Sequence, residues 1–213
     1  AEPVSGQQLS DTNIRYQVIT FLIAGHETTS GLLSFALYFL TQHLTTLARA
    51  VAEVDAVLPS GAELTYEDLD KLIVVEQVLE ETLRLWPTAP AFSVAPYQET
   101  VLPGGYTLAK DQRVTVLLPA LHRDPAAWER PEAFDIDRFA PERRASISPH
   151  AFKPFGNGSR ACIGKQFAMM EAKLALAMIL QNFELIHDPA YTLKIKETLS
   201  LKPDGLRLKV RSR

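Results

Sequence analysis

The residues best suited to chemistry fall in one ten-residue window, Phe155-Gly156-Asn157-Gly158-Ser159-Arg160-Ala161-Cys162-Ile163-Gly164, which holds the only cysteine of the chain. A thiolate is a soft, electron-donating ligand for a redox metal, and it needs help to stay deprotonated. The window offers that help. Gly158 and Gly164 lack a Cβ, so the backbone can turn tightly and aim amide N–H groups at the sulfur. An apolar helical run, Phe167 to Leu180, comes next and brings the positive end of its dipole close. Arg160, two residues before the cysteine, can meet a carboxylate with a guanidinium fork. Phe155 can pack beside the sulfur and keep water away. Most lone cysteines are small buried hydrophobes. Fixing Phe, Gly, Gly, Arg, Cys and Gly in such a window, however, has a chance frequency of roughly one in 10⁸ per position at ordinary residue usage. That rarity favours the ligand reading.

A second group with chemical potential is Ala24-Gly25-His26-Glu27-Thr28-Thr29. Gly and two β-branched threonines weaken a helix where packing alone would favour Leu and Ala. A threonine hydroxyl can capture the carbonyl one turn earlier and open a local groove. The competing reading is a Thr-rich packing seam. Glu81 and Arg84 form a third group, three apart on one helical face. Such a pair, if exposed, is worth a few tenths of a kcal/mol and marks a solvated surface.

The elements that must position these groups can be read from spacing and caps. Ser10, Asp11 or Thr12 can cap a helix from about Asn13 to about Leu44, on the order of 45 Å long at 1.5 Å per residue. Apolar residues occupy nearly every face between Ile14 and Leu40, which predicts a buried helix. Arg15, Gln17, His26 and Glu27 oppose a membrane span. A helical segment lies between Thr41 and Ser60, closed by the turn Pro59-Ser60-Gly61. Thr65 with Asp68 resembles a capping box, and the apolar spacing from Leu69 to Leu83 is helical, ended by Pro87.

Trp86 to Phe92 is too rich in proline for helix and reads as an extended crossing. Short strands are expected from Ser93 to Leu118, with Val114 to Leu118 buried. His122-Arg123-Asp124-Pro125 predicts a short helix carrying Trp128. His122 itself reads first as a satisfied structural histidine and second as a neighbour of a cofactor carboxylate. Leu193-Lys194-Ile195 and Leu199-Ser200-Leu201 alternate as strands, and Lys202-Pro203-Asp204-Gly205 turns into a terminal hairpin over Leu206 to Val210.

Composition narrows the class of function. Of 213 residues, 46% are apolar and 22% charged, ordinary for a globular protein, and the net charge of -3 argues against nucleic acid as a partner. One cysteine excludes an internal disulfide framework and fits a reducing, cytoplasmic location. The opening Ala1 to Gly6 has no initiator Met, basic region or apolar core, so no signal peptide is expected there and the chain looks trimmed. Arg143, Arg144, Lys153, Arg160 and Lys165 form a basic stretch in an acidic protein, readable as a solvated face or as a docking surface for an acidic partner.

The cysteine window resembles the heme-binding loop of cytochrome P450, the heme-thiolate monooxygenases. The resemblance implies a fold that is mainly α with small β-sheets and a bound heme b. It makes Cys162 the iron ligand, with Phe155, Gly156, Arg160, Ile163 and Gly164 about the heme and Ala24 on its far side. Arg160 would contact a propionate. Ala24 to Thr29 is similar to the family's distal-helix motif, in which Thr28 and Glu27 would handle dioxygen and deliver protons. Glu81 and Arg84 fall where the family has a Glu-x-x-Arg pair tied to a further arginine, here Arg138. In Phe134-Asp135-Ile136-Asp137-Arg138-Phe139 the family's usual proline is Ile136 and its usual basic residue is Asp135, which leaves the rigidity of that loop open. Ala89, Ala91, Leu199 and Ser200 would wall the substrate cavity.

The likeness covers essentially the whole chain. It is nearest to bacterial fatty-acid hydroxylases fused to a diflavin reductase, through Phe21 to Ser30, Leu85 to Phe92 and His150 to Phe155. It implies a lipophilic substrate such as a fatty acid, dioxygen, and NADPH electrons passed through FMN and FAD on a reductase, fused or separate. It also implies that the chain is the C-terminal part of one heme domain, which would neither fold nor turn over alone. Two other classes stay open at this point: a heme-thiolate sensing module, and a structural remnant without heme.

Overall fold

Ser10 starts the first helix. Its Oγ accepts the Asn13 N–H at 3.2 Å, and α1 runs Asp11–Gln42 before His43 breaks it. The computed structural model describes residues 8–59 and 62–213, so Ala1 to Gly6 and the Ser60-Gly61 part of the expected turn lie outside it. Only the second half of α1 is buried, from Thr29 through Thr41, whereas Ile14, Tyr16, Val18, Ile19, Phe21, Leu22 and Ile23 are exposed. The expectation of a helix buried along its length is therefore corrected. An apolar sequence shows that a face prefers burial, but another element must be there to bury it.

After His43 comes α2, Leu44–Val57. Asp68 then accepts both the N–H and the hydroxyl of Thr65, at 3.1 and 2.8 Å, as a capping pair would. The chain next makes only a 3₁₀ turn, Leu69–Lys71, and the true helix α3 begins at Ile73 and runs to Leu85. Its cap is borrowed. Leu72 has no side-chain acceptor, so the Glu53 carboxylate of α2 takes the N–H groups of Val74 and Val75 at 2.7 and 3.0 Å.

Strands β1 (Ala91–Val94) and β4 (Val114–Leu117) pair antiparallel, as do β2 (Thr100–Leu102) and β3 (Tyr106–Leu108) between them. β4 is half-exposed, with Leu117 in solvent, so the expected buried strand is corrected. The helix expected to carry Trp128 does not form. A short helix α4, Leu118–Leu121, ends at His122. Asp124 then closes a single turn, accepting from Ala126, Ala127 and Trp128.

A second short helix, α5 (Pro141–Arg144), precedes the cysteine window, and the long α6 (Lys165–Asn182) comes directly after it. The C-terminal strands depart from expectation. β6 (Ile195–Glu197) pairs with β7 (Leu201–Pro203), while β8 (Lys209–Ser212) pairs with β5 (Phe183–Ile186) at the end of α6. The terminal strand thus forms no hairpin with its sequence neighbour. Gly205, at φ +64°, turns the chain past β7, and β5 offers the free edge. Among the described residues the fold is mainly α with four two-stranded sheets, and no helix is long and apolar enough to cross a membrane.

One core holds the helices together. Leu32, Ala36 and Leu40 of α1 meet Val75, Val78, Leu79 and Leu83 of α3 and Met169, Ala172, Leu176 and Leu180 of α6, with Ala50 and Val54 of α2. Each fully buried Leu contributes about 1.5–3 kcal/mol of apolar transfer.

Candidate functional site

The cysteine window is a left-handed loop leading into α6. Gly156 and Gly158 sit at φ +73° and +65°, where a side chain would be strained, and the Cys162 N–H donates to the Phe155 carbonyl at 2.8 Å. Gly164 caps α6 with an ordinary φ of -86°, so the expected role of that glycine passes to Gly156. A Cβ on Gly164 would stand 3.8 Å from the Cys162 Sγ. The Cys162 thiol is exposed, Ile163 beside it is 87% exposed, and Phe167 on the first turn of α6 is exposed as well. Phe155 packs against the common core with Lys165 over its ring. Arg160 is exposed.

Over the Ala24 to Thr29 stretch the helix stays intact, and the Thr28 hydroxyl donates to the Ala24 carbonyl at 2.7 Å, one turn earlier. Space beside Gly25 is open, with nothing within 4 Å of where a Cβ would stand. Glu27 Oε1 accepts from Lys202 Nζ and from Thr198 Oγ1, each at 3.1 Å. These two donors, Lys202 the stronger, hold the Glu27 carboxyl below its ordinary range. Sequence reading found neither partner. They stand more than 170 positions away on the β6–β7 hairpin, and nothing local marks them.

Of the four proposed cavity residues, Ala89 and Leu199 are exposed, Ala91 is half-buried and Ser200 is buried. The extended crossing and the hairpin are joined, since the Leu201 N–H donates to the Thr88 carbonyl at 2.8 Å. Gly31 of α1 makes room for that junction. A Cβ there would lie 2.9 Å from the Leu201 carbonyl and 3.1 Å from Thr88 Cγ2.

The third group is fully buried. Glu81 receives Arg84 Nε and Nη2 at 2.6 and 2.8 Å, and Arg138 Nε stands 3.4 Å from its Oε1. Arg84 also donates to the carbonyls of His122, Pro131 and Ala133 and stacks on Trp128. Burial pushes the Glu81 carboxyl up, opposed by Arg84. Asp135 gives its N–H to Glu81 and caps the turn Ile136–Phe139. A capping carboxylate at Asp135 thus orders the loop that lacks the usual proline.

His122 is wholly buried, with Nδ1 3.2 Å from the Arg84 carbonyl and Nε2 accepting the Lys153 N–H at 3.0 Å. Both nitrogens are spent, which fits the structural reading. Of the basic stretch, Arg144 is bound to Glu80 and faces Glu76, so it is not a free docking charge.

The donors present determine which group the site can hold. Among the described residues no three of His, Cys, Asp and Glu come together as a metal cage. A lone exposed thiol at a glycine cradle, flanked by exposed Ile163 and Phe167, fits a flat apolar group that brings its own in-plane donors and takes one ligand from the protein. A porphyrin iron is such a group.

Comparison with known proteins agrees with that donor set. The sequence profile described as Cytochrome P450 matches residues 2–210. The chain is 54% identical over 215 residues to bifunctional cytochrome P450/NADPH–P450 reductase 2 of Bacillus subtilis, covering all of this chain and 20% of that protein. It is 49% identical over 214 residues to a self-sufficient cytochrome P450 monooxygenase of Aspergillus terreus, covering 98% of this chain and 20% of that one. The crystal structure of the cytochrome P450DA heme domain superposes with a TM-score of 0.97 at 54% identity, covering all of this chain and 47% of that one. The chain therefore spans about a fifth of the length of these curated relatives.

Proposed function

The chain belongs to the cytochrome P450 family, and from that premise we propose that it forms the cysteine-bearing part of a heme-thiolate monooxygenase that hydroxylates a fatty acid. The whole protein would use dioxygen and NADPH, with electrons arriving through an FMN- and FAD-bearing reductase. Relatives named as P450/NADPH–P450 reductase fusions support that partner. The observation that carries the reading is the exposed Cys162 thiol held at the left-handed glycine loop. A cytoplasmic location is proposed from the single unpaired cysteine.

Within that reading each residue has a task. Heme b, when bound, supplies the activation of dioxygen toward C–H insertion, and thiolate donation favours O–O cleavage. Cys162 would hold the iron, Arg160 would meet a propionate, and Phe155 would shield the sulfur. Gly156, Ile163, Gly164 and Ala24 would line the porphyrin. Thr28, whose hydroxyl proton is engaged with the Ala24 carbonyl, would accept a proton-bearing partner, and the neighbouring Glu27 carboxylate would take part in proton delivery. Ala89, Ala91, Leu199 and Ser200 would wall the substrate. Exposed Arg143 and Lys165 would orient an acidic flavin domain. We further take the chain as the C-terminal part of one heme domain.

The test uses the whole heme domain with its reductase. Carbon monoxide added to the reduced protein is expected to give the Soret band of thiolate-ligated heme, lost in Cys162→Ala, and long-chain fatty acid with NADPH should yield hydroxylated product. A heme spectrum unchanged in Cys162→Ala overturns the ligand, and the absence of hydroxylated product overturns the substrate.

A further inference from the structure

We propose that Lys202 and Thr198 are positioning residues for Glu27, tying the acid of α1 to the hairpin that carries Leu199 and Ser200. The inference rests on the proposed roles of Glu27 in proton delivery and of Leu199 and Ser200 in meeting substrate. Both donors converge on a single oxygen, Oε1, each at 3.1 Å, and Oε2 has no partner among the described residues. The carboxylate is therefore held in one sense through that oxygen. An exposed ion pair by itself is worth little stability. A lysine and a neutral hydroxyl sharing one oxygen fix an orientation instead, at the residue next to Thr28.

The hairpin is built to hold that grip. Lys196 faces Lys202 and Glu197 faces Leu201 in register, and the turn between the strands is tightened by Thr198 N–H donating to the Ser200 carbonyl at 3.1 Å. Leu201 is buried and bonded to Thr88, and its carbonyl fills the space that Gly31 leaves open on α1. The hairpin is thus locked to the helix beside its turn, at Leu201. At its tip, Leu199 is 77% exposed, and Ser200 is 2% exposed with its hydroxyl unpartnered. Leu199 and Ser200 lie between the two residues that hold Glu27, so a substrate chain pressing on the tip bears directly on the carboxylate. Seating of substrate and setting of the acid become one event.

The experiment compares Lys202→Ala, Lys202→Arg, Glu27→Gln and the double variant K202A/E27Q in the whole heme domain with its reductase. Each is first checked for an intact carbon monoxide spectrum. Hydrogen exchange supplies a readout independent of turnover: Lys202→Ala should speed exchange at residues 197–200 and leave 32–40 of α1 unchanged. Product formed per NADPH should fall about threefold to tenfold in Lys202→Ala, with the fatty-acid KM changed less than about twofold, because orientation rather than binding is lost. Lys202→Arg should restore most of it. The loss should disappear in the Glu27→Gln background, as it must if Lys202 acts only through Glu27. Faster exchange with undiminished coupling, or a Lys202→Ala loss that persists without Glu27, overturns the positioning role. Normal coupling in Glu27→Gln instead overturns the proton-delivery reading beneath it.

Discussion

At the scale of single residues, His122 shows how one side chain can be committed to the fold. It is buried between Arg84 and Lys153, and that burial lowers its pKa to about 4 from an ordinary 6.5. The native protein therefore refuses a proton that the unfolded chain accepts between those values. Stability present at pH 7 should erode as pH falls through about 6.5 toward 4, by at most about 3 kcal/mol from this group. Urea midpoints of the whole heme domain at pH 7, 6 and 5 should show the slope, and His122→Gln should flatten it by about one proton. An equal slope in the variant would place the proton uptake elsewhere. Cys162 and His122 differ in how they could be read. The glycines and arginine around Cys162 are local and rare in combination, so the candidate ligand was legible. His122 has no such signature, and only its two bonded nitrogens decide its part.

At the scale of elements, the buried Glu81 and Arg84 join α3 to the segment 131–138, which no local pattern connects. Two charges out of water are tolerable when they are well paired and hydrogen-bonded, and Arg84 uses all five of its N–H groups here. Arg84→Ala should strand Glu81 with Arg138 at 3.4 Å and free three carbonyls, costing about 3–5 kcal/mol. A fall in thermal midpoint and in heme retention would record it, and a midpoint within about a degree of the parent would contradict it. Helix boundaries were legible to a few residues for α1, where the Ser10 cap and apolar spacing agree, and for α2 and α6 from spacing and flanking turns. The start of α3 was not, because its cap comes from Glu53 on a different helix. The partner of β8 was hidden for a similar reason: a strand's sequence shows its alternation but not the edge it will join.

At the scale of the whole molecule, the first half of α1 carries apolar residues on faces that nothing among the described residues covers. The chain covers 47% of the solved heme domain with which it superposes, so we expect the remainder of such a domain to pack there. In the whole heme domain, amide exchange over residues 14–26 should be as slow as over residues 32–40, and fast exchange confined to 14–26 would refute that packing. Residue order alone was enough for the candidate ligand, the acid–threonine pair and the helical class, because each depends on residue types a few positions apart and on local backbone preference. Three-dimensional packing had to decide that Glu27 is gripped by Lys202 and Thr198, that β8 joins β5, and that Arg144 belongs to Glu80. Those contacts join residues as far as 175 positions apart, and their partners are chosen by which surfaces the shared core brings face to face.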